Sequence, residues 1–148
     1  MGLLDWLRRK EAGEESPPLT FESHENTLEG LDMKGAIDAH MQWRERLTDH
    51  LHGKSQETLE VGTVSCDDNC TLGKWIYSSG KRKFSHLREL EDLRLTHADF
   101  HLCAGEVLLK HENDEKEAAE QLLNTRFKHL SGQVQLALVR LHTKASVS

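Results

Sequence analysis

Two histidines four residues apart, in His97-Ala98-Asp99-Phe100-His101, could grip one metal ion if the segment is helical, because that spacing sets them about 40° apart around the axis and one turn along it. The pair alone is a weak signal in a chain of 148 residues with 10 histidines. Position strengthens it, since both fall on an apolar stripe where an unpartnered imidazole loses its hydrogen bonds to water without replacement. His40 holds the same kind of position in an earlier segment, between Ile37 and Leu47 and three residues before Trp43. A core histidine bonded to a carbonyl would read the same way. Cys70 follows Asp67-Asp68-Asn69 and opens a short helical segment, where free backbone N–H groups and the positive end of the helix dipole favour the thiolate that binds metal. Three imidazoles and one thiolate form a tetrahedral set suited to zinc. Four protein ligands leave no position for a substrate water, which argues against a hydrolytic enzyme. Local spacing is equally compatible with a two-cysteine site that uses Cys66 and Cys70.

These residues need long elements to position them. From about Thr27, Leu28, Leu31, Ile37, His40, Trp43, Leu47 and Leu51 recur at threes and fours until Gly53, which predicts a first long helix. Lys54 to Asn69 reads as a polar connection, with Val61-Gly62-Thr63-Val64 too short and interrupted to support a sheet. A short helix is predicted from about Thr71 to Tyr77, closed by Ser78-Ser79-Gly80, and a second long one from Lys81 to about Glu112. Ala119, Leu123, Phe127, Leu130, Val134, Ala137 and Leu141 form a ladder of threes and fours that suits a bundle seam. The predicted fold is all-α: an antiparallel four-helix-type bundle of three long helices plus a short helix carrying Cys70.

Residues 1–20 read as a flexible tail and residues 21–143 as the zinc-binding bundle, followed by a short tail over 144–148. Within the first tail, Leu3, Leu4, Trp6 and Leu7 with Arg8, Arg9 and Lys10 make an amphipathic piece able to touch a membrane surface or a partner. One or two turns bury little, so a frayed end is expected, followed by a linker around Pro17-Pro18. A net charge of −6 with 30% charged residues offers no broad basic surface for nucleic acid. Apolar runs fall far short of the roughly 20 residues that cross a bilayer, and no export signal is present. Three cysteines, Cys66, Cys70 and Cys103, have no disulfide-rich spacing and suit a reducing, cytoplasmic setting.

Taken together, Ala36-Ile37-Asp38-Ala39-His40-Met41-Gln42-Trp43, Cys70-Thr71-Leu72-Gly73-Lys74-Trp75 and His97-Ala98-Asp99-Phe100-His101 resemble, in order and in the gaps between them, the bacterial chemoreceptor zinc-binding (CZB) domain. That family carries His-x-x-Trp on a first helix, Cys-x-x-Gly-x-Trp on a short helix and His-x-x-x-His on a later one. The resemblance covers roughly residues 28 to 142. It implies His40, Cys70, His97 and His101 as ligands of Zn2+, decides against Cys66, and implies a bundle that pairs into a homodimer. It further implies zinc sensing, or redox sensing of hypochlorous acid through Cys70, linked to chemotaxis or cyclic-di-GMP signalling. After the last helix only Thr143 to Ser148 remain, so the signal is expected to leave through a partner of the chemoreceptor or diguanylate cyclase class. No residue is assigned a catalytic role. The short helix would be the movable element, with Gly73 and Gly80 giving flexibility at its ends. The alternative is a structural-zinc adaptor or scaffold without a switch. A di-iron carrier of hemerythrin type would need more histidines and bridging carboxylates than His111 and Glu115 offer. Trp43 and Trp75 are expected to wall the site, and Asp38 and Asp99 either to orient its imidazoles or to lie on a solvated face.

Overall fold

The first long helix is fixed by its cap more than by its periodicity. In the computed structural model, which describes residues 3–13 and 26–147, Thr27–Leu28 (β1) and Leu31–Asp32 (β2) pair as a two-residue antiparallel hairpin. Its turn at Glu29 and Gly30 has φ of 43° and 81°, and Leu28 and Leu31 are buried. Asp32 then accepts from Gly35 N at 3.1 Å and caps α2, Met33–Leu51. Helix α2 therefore starts six residues later than the apolar spacing from Thr27 predicts, because Leu28 and Leu31 serve the hairpin. Met33, Ala36, Ile37, His40, Leu47 and Leu51 line its buried face. It ends where Gly53 takes a left-handed φ of 70°.

The connection that follows is more ordered than predicted. It contains a single helical turn, α3, Val61–Val64. After α4, Thr71–Trp75, the chain runs through a π-turn, Ile76–Gly80, straight into α5, Lys81–Phe84. The Ser-Ser-Gly stretch thus widens the helix instead of closing it. The break comes at Leu87, whose extended backbone precedes α6, Arg88–Glu112, so this helix is shorter than the predicted run from Lys81. A turn with Asp114 at φ 61° reverses the chain into α7, Lys116–Leu122, a second π-turn, Leu123–Phe127, and α8, Lys128–Val147.

The fold is an all-α bundle. Leu93, Phe100, Ala104, Val107 and Leu108 of α6 are fully buried with Phe127, Leu138 and Leu141, and the rings of Phe100 and Phe127 meet at 4.9 Å. Two end regions differ from expectation. Residues Leu3–Glu11 form α1, which packs on α8 with Leu3, Trp6 and Leu7 buried and Glu11 paired to Arg140 Nε at 2.9 Å. A tryptophan buries enough surface to hold even a short helix in place, and residues 3–11 are helical and packed where a frayed end is expected. The predicted tail from 144 continues α8 to Val147. The linker around Pro17-Pro18 lies outside the described residues. No helix among the described residues is long and apolar enough to cross a membrane.

Candidate metal centre

Helix α2 supplies His40, α6 supplies His97 and His101 from successive turns, and the N-cap of α4 supplies Cys70. Nε2 of His97 lies 3.0 Å from Nε2 of His40, 3.1 Å from Nε2 of His101 and 3.2 Å from Sγ of Cys70. The sulfur is 3.6 Å from His101 Nε2 and 3.9 Å from His40 Nε2. A tetrahedral zinc site with Zn–N of about 2.0–2.1 Å and Zn–S of about 2.3 Å has edges of about 3.3 and about 3.6 Å. Five of the six donor–donor distances stand within about 0.4 Å of those edges, and all four donors lie within 4.8 Å of one another. Among the described residues no other group of three or more His, Cys, Asp or Glu converges this way.

Hydrogen bonds on the far side of the rings show which atoms are free. His40 Nδ1 donates to the Ala36 carbonyl at 2.7 Å, and His101 Nδ1 donates to the Val64 carbonyl at 3.0 Å. In the neutral imidazole the proton is then on Nδ1, which leaves Nε2 a bare lone pair. Burial keeps the rings neutral. It pushes His40 down to about 4 against the pull of its Ala36 bond, and lowers His101. It takes His97 to about 2, helped by the neighbouring rings of His40 and His101. At least two lone pairs thus converge on His97 Nε2, at 3.0 and 3.1 Å, with a sulfur 3.6 to 3.9 Å from them, an arrangement that a shared cation makes favourable. His97 lacks such an orienting bond at Nδ1. Among the described residues it is the one fully buried side-chain nitrogen or oxygen without a hydrogen-bond partner, and such a group costs about 1–3 kcal/mol. The residues present fit zinc.

Cys70 differs from the three histidines. Its sulfur accepts from Gly73 N at 3.4 Å, and the N–H groups of Gly73 and Leu72 draw its pKa down, but burial outweighs them and raises the thiol. The helix terminus alone does not make the thiolate expected from the sequence. It is also the only one of the four that is half-exposed, at the wall of a solvent-open cavity of about 420 Å3 that it shares with His101, Trp43, Arg46 and Cys66.

The glycine of Cys-x-x-Gly-x-Trp has a steric reason. A Cβ at Gly73 would stand 1.8 Å from the Asp67 carbonyl oxygen, so the turn before Cys70 lies directly against α4. This corrects the expectation that Gly73 supplies flexibility. Gly105 plays the same part on α6, where a Cβ would stand 1.8 Å from Ser65 Oγ, and the close approach brings Val64 over His101.

Of the other residues singled out, Trp43 does border the site, with its ring 6.2 Å from that of His101 and the Arg46 guanidinium carbon 3.7 Å from the centre of the Trp43 ring. Trp75 does not. It is buried against Phe84 and donates from Nε1 to the Glu29 carbonyl at 3.0 Å, fastening α4 to the hairpin. Asp38 is exposed and paired with Lys34 at 2.7 Å, and Asp99 is exposed. Backbone carbonyls orient the imidazoles instead. Cys66 is exposed, its S–H donating to the Gly62 carbonyl, and stands outside the converging set. Cys103 is buried. The sequence reading missed the carbonyls of Ala36 and Val64, and Phe100, whose ring packs at 5.2 and 5.4 Å on His40 and His101. The Ala36 contact was available from helix spacing, since it lies four residues before His40; the Val64 contact depends on tertiary folding alone.

Residues 40–108 match the family model described as the chemoreceptor zinc-binding domain. No curated protein and no solved structure matches the chain.

Proposed function

We propose, from the zinc-binding chemoreceptor domain that residues 40–108 carry, that the chain is a sensory module in which His40, Cys70, His97 and His101 hold one zinc ion and Cys70 is the ligand a stimulus releases. The family is regulatory and binds zinc. What supports the finer reading is the unequal anchorage of the donors. The three histidines stand on long helices, buried, with two of them oriented by carbonyls. Cys70 stands at the N-cap of the helical run over 71–84, shorter than α2 or α6, and borders a solvent-open cavity.

When bound, zinc holds the Cys70 sulfur as a thiolate at neutral pH. A two-electron oxidant such as hypochlorous acid converts that thiolate to a sulfenic acid with release of chloride, and the sulfur loses the charge that made it a good ligand. Asp67 and Asp68, the turn that Gly73 admits, and Tyr77, whose hydroxyl donates to Asp67 at 2.5 Å, then lose one of the anchors that fix α4 over the site. The change passes to a second protein, of the chemoreceptor or diguanylate cyclase class, in a reducing cytoplasmic setting. Homodimer formation belongs to the same reading, and the outer face of α6, where Leu95, Leu102 and Leu109 are about half exposed, supports it.

The test treats the zinc-loaded chain with one equivalent of hypochlorous acid and follows zinc release and hydrogen exchange. The sensor reading expects zinc release and faster exchange over residues 61–84, with the core of α6 unchanged, and no response in Cys70→Ser. Retained zinc and an unchanged exchange pattern would establish the structural-zinc adaptor instead.

A further inference from the structure

We infer that oxidation of Cys70 ends in a disulfide with Cys66, formed in the cavity beside the metal centre. The inference rests on the reading of Cys70 as the oxidisable ligand and adds the residue that completes the reaction. Cys66 is exposed, has no place in the ligand set, and lines the same cavity as Cys70 and His101. Its thiol is held only by a bond to the Gly62 carbonyl at 3.2 Å, a weak one for sulfur. Residues 65–70 lie between α3 and α4, outside both helices, and turn at Asp67 and Asp68. A disulfide asks for Cα atoms roughly 4.4–6.8 Å apart, while four residues fully extended span at most about 14 Å. The turn between the cysteines shortens that reach, so the bridge forms by rearranging a loop and unwinds no helix. The third thiol is out of reach, because Cys103 is fully buried in the α6 core.

The steps balance. The Cys70 thiolate gives two electrons to hypochlorous acid, forming an S–OH bond and chloride. The Cys66 sulfur then attacks the Cys70 sulfur; the S–S bond forms, the S–OH bond breaks, and the departing hydroxide takes the Cys66 proton as water. The sulfur is thereby withheld from the three Nε2 atoms, and its further oxidation to sulfinic and sulfonic acids, which thiols do not reverse, is forestalled. A thiol reductant would restore the ligand.

Zinc-loaded full chain, its Cys66→Ser variant and its Cys103→Ser variant are each given one equivalent of hypochlorous acid, alkylated and mapped by peptide mass, with zinc release and rebinding after dithiothreitol followed in parallel. The expected result is an intramolecular peptide linked through Cys66 and Cys70 in wild type and Cys103→Ser, with zinc released and then rebound to near its starting level. Cys66→Ser should release zinc and form no such link and, given two further equivalents of hypochlorous acid, carry Cys70 as sulfinic or sulfonic acid and fail to rebind. Oxidised Cys70 with alkylatable Cys66 in wild type, or a link to Cys103 or to a second chain, overturns the disulfide and leaves the sensor reading standing. Unmodified Cys70 with zinc retained overturns both.

Discussion

His97 shows how far a single side chain can depend on what its neighbours share. Its Nδ1 has no partner and its Nε2 faces two other imidazoles and a sulfur, so packing places the ring and the common cation rewards it. In the metal-free chain the same burial sets a pH dependence. His40 is held down to about 4 from an ordinary 6.5, and His97 lower still, so below 6.5 the unfolded chain binds protons that the folded chain refuses. Stability therefore rises with pH through this window. The contribution of the neutral histidines is fully present above about 6.5 and is lost as pH falls toward 4. Thermal midpoints of chelated protein should drop steadily over that interval, and His97→Leu should flatten the drop. A midpoint independent of pH between 6.5 and 4 would contradict buried, neutral imidazoles. With zinc loaded the fall should be steeper, because protons must then also displace the metal from its donors.

At the scale of elements, what positions Cys70 is the contact of the 65–70 turn with α4 and α6 through two glycines. A methyl group at Gly73 meets a backbone carbonyl at 1.8 Å, which no rotamer can relieve, so Gly73→Ala should cost about 1–3 kcal/mol as an overpacking change. It should also loosen zinc, read by competition with a chromogenic chelator. Gly132→Ala provides the contrast. Nothing lies within 4 Å of its added methyl in the second turn of α8, and the substitution should stabilise by about 1 kcal/mol, measured by urea unfolding. Equal effects of the two changes would remove the steric argument. The three long helical runs were legible because apolar residues at threes and fours record which face is buried, and the His97–His101 pair was legible for the same reason. The helix ends were not. Leu28 and Leu31 continue the helical spacing but turn in a hairpin, and the break at Leu87 carries no glycine or proline. Arg94, four residues after Leu90 and three before His97, falls on the buried stripe by spacing and yet pairs with Glu91 at 2.9 Å at the surface. Asp38 and Asp99 lie two residues from ligands in sequence but face solvent, since that spacing turns a helical side chain about 200° around the axis.

For the whole molecule, α6 carries the metal-binding histidines and an exposed leucine stripe on different faces, about 120° apart around its axis. Its inner face carries His97 and His101, and its outer face carries Leu95, Leu102 and Leu109, exposed by 50%, 56% and 46%. A lone exposed leucine needs no explanation, but three at seven-residue intervals form a seam about 21 Å long, the pattern by which one helix receives another. A second copy of the chain offers the same seam, which satisfies the self-complementarity of a two-fold interface. Because the seam and two of the ligands are on one rigid helix while Cys70 is on another element, loss of the sulfur should change α4 and leave the pairing in place. Leu102→Glu should convert the protein from dimer to monomer in sedimentation equilibrium, with zinc still bound at one per chain, and Cys70→Ser should stay dimeric. A wild type that sediments as a monomer at tens of micromolar, or a Leu102→Glu variant that remains dimeric, would place the interface elsewhere and separate zinc binding on α6 from assembly.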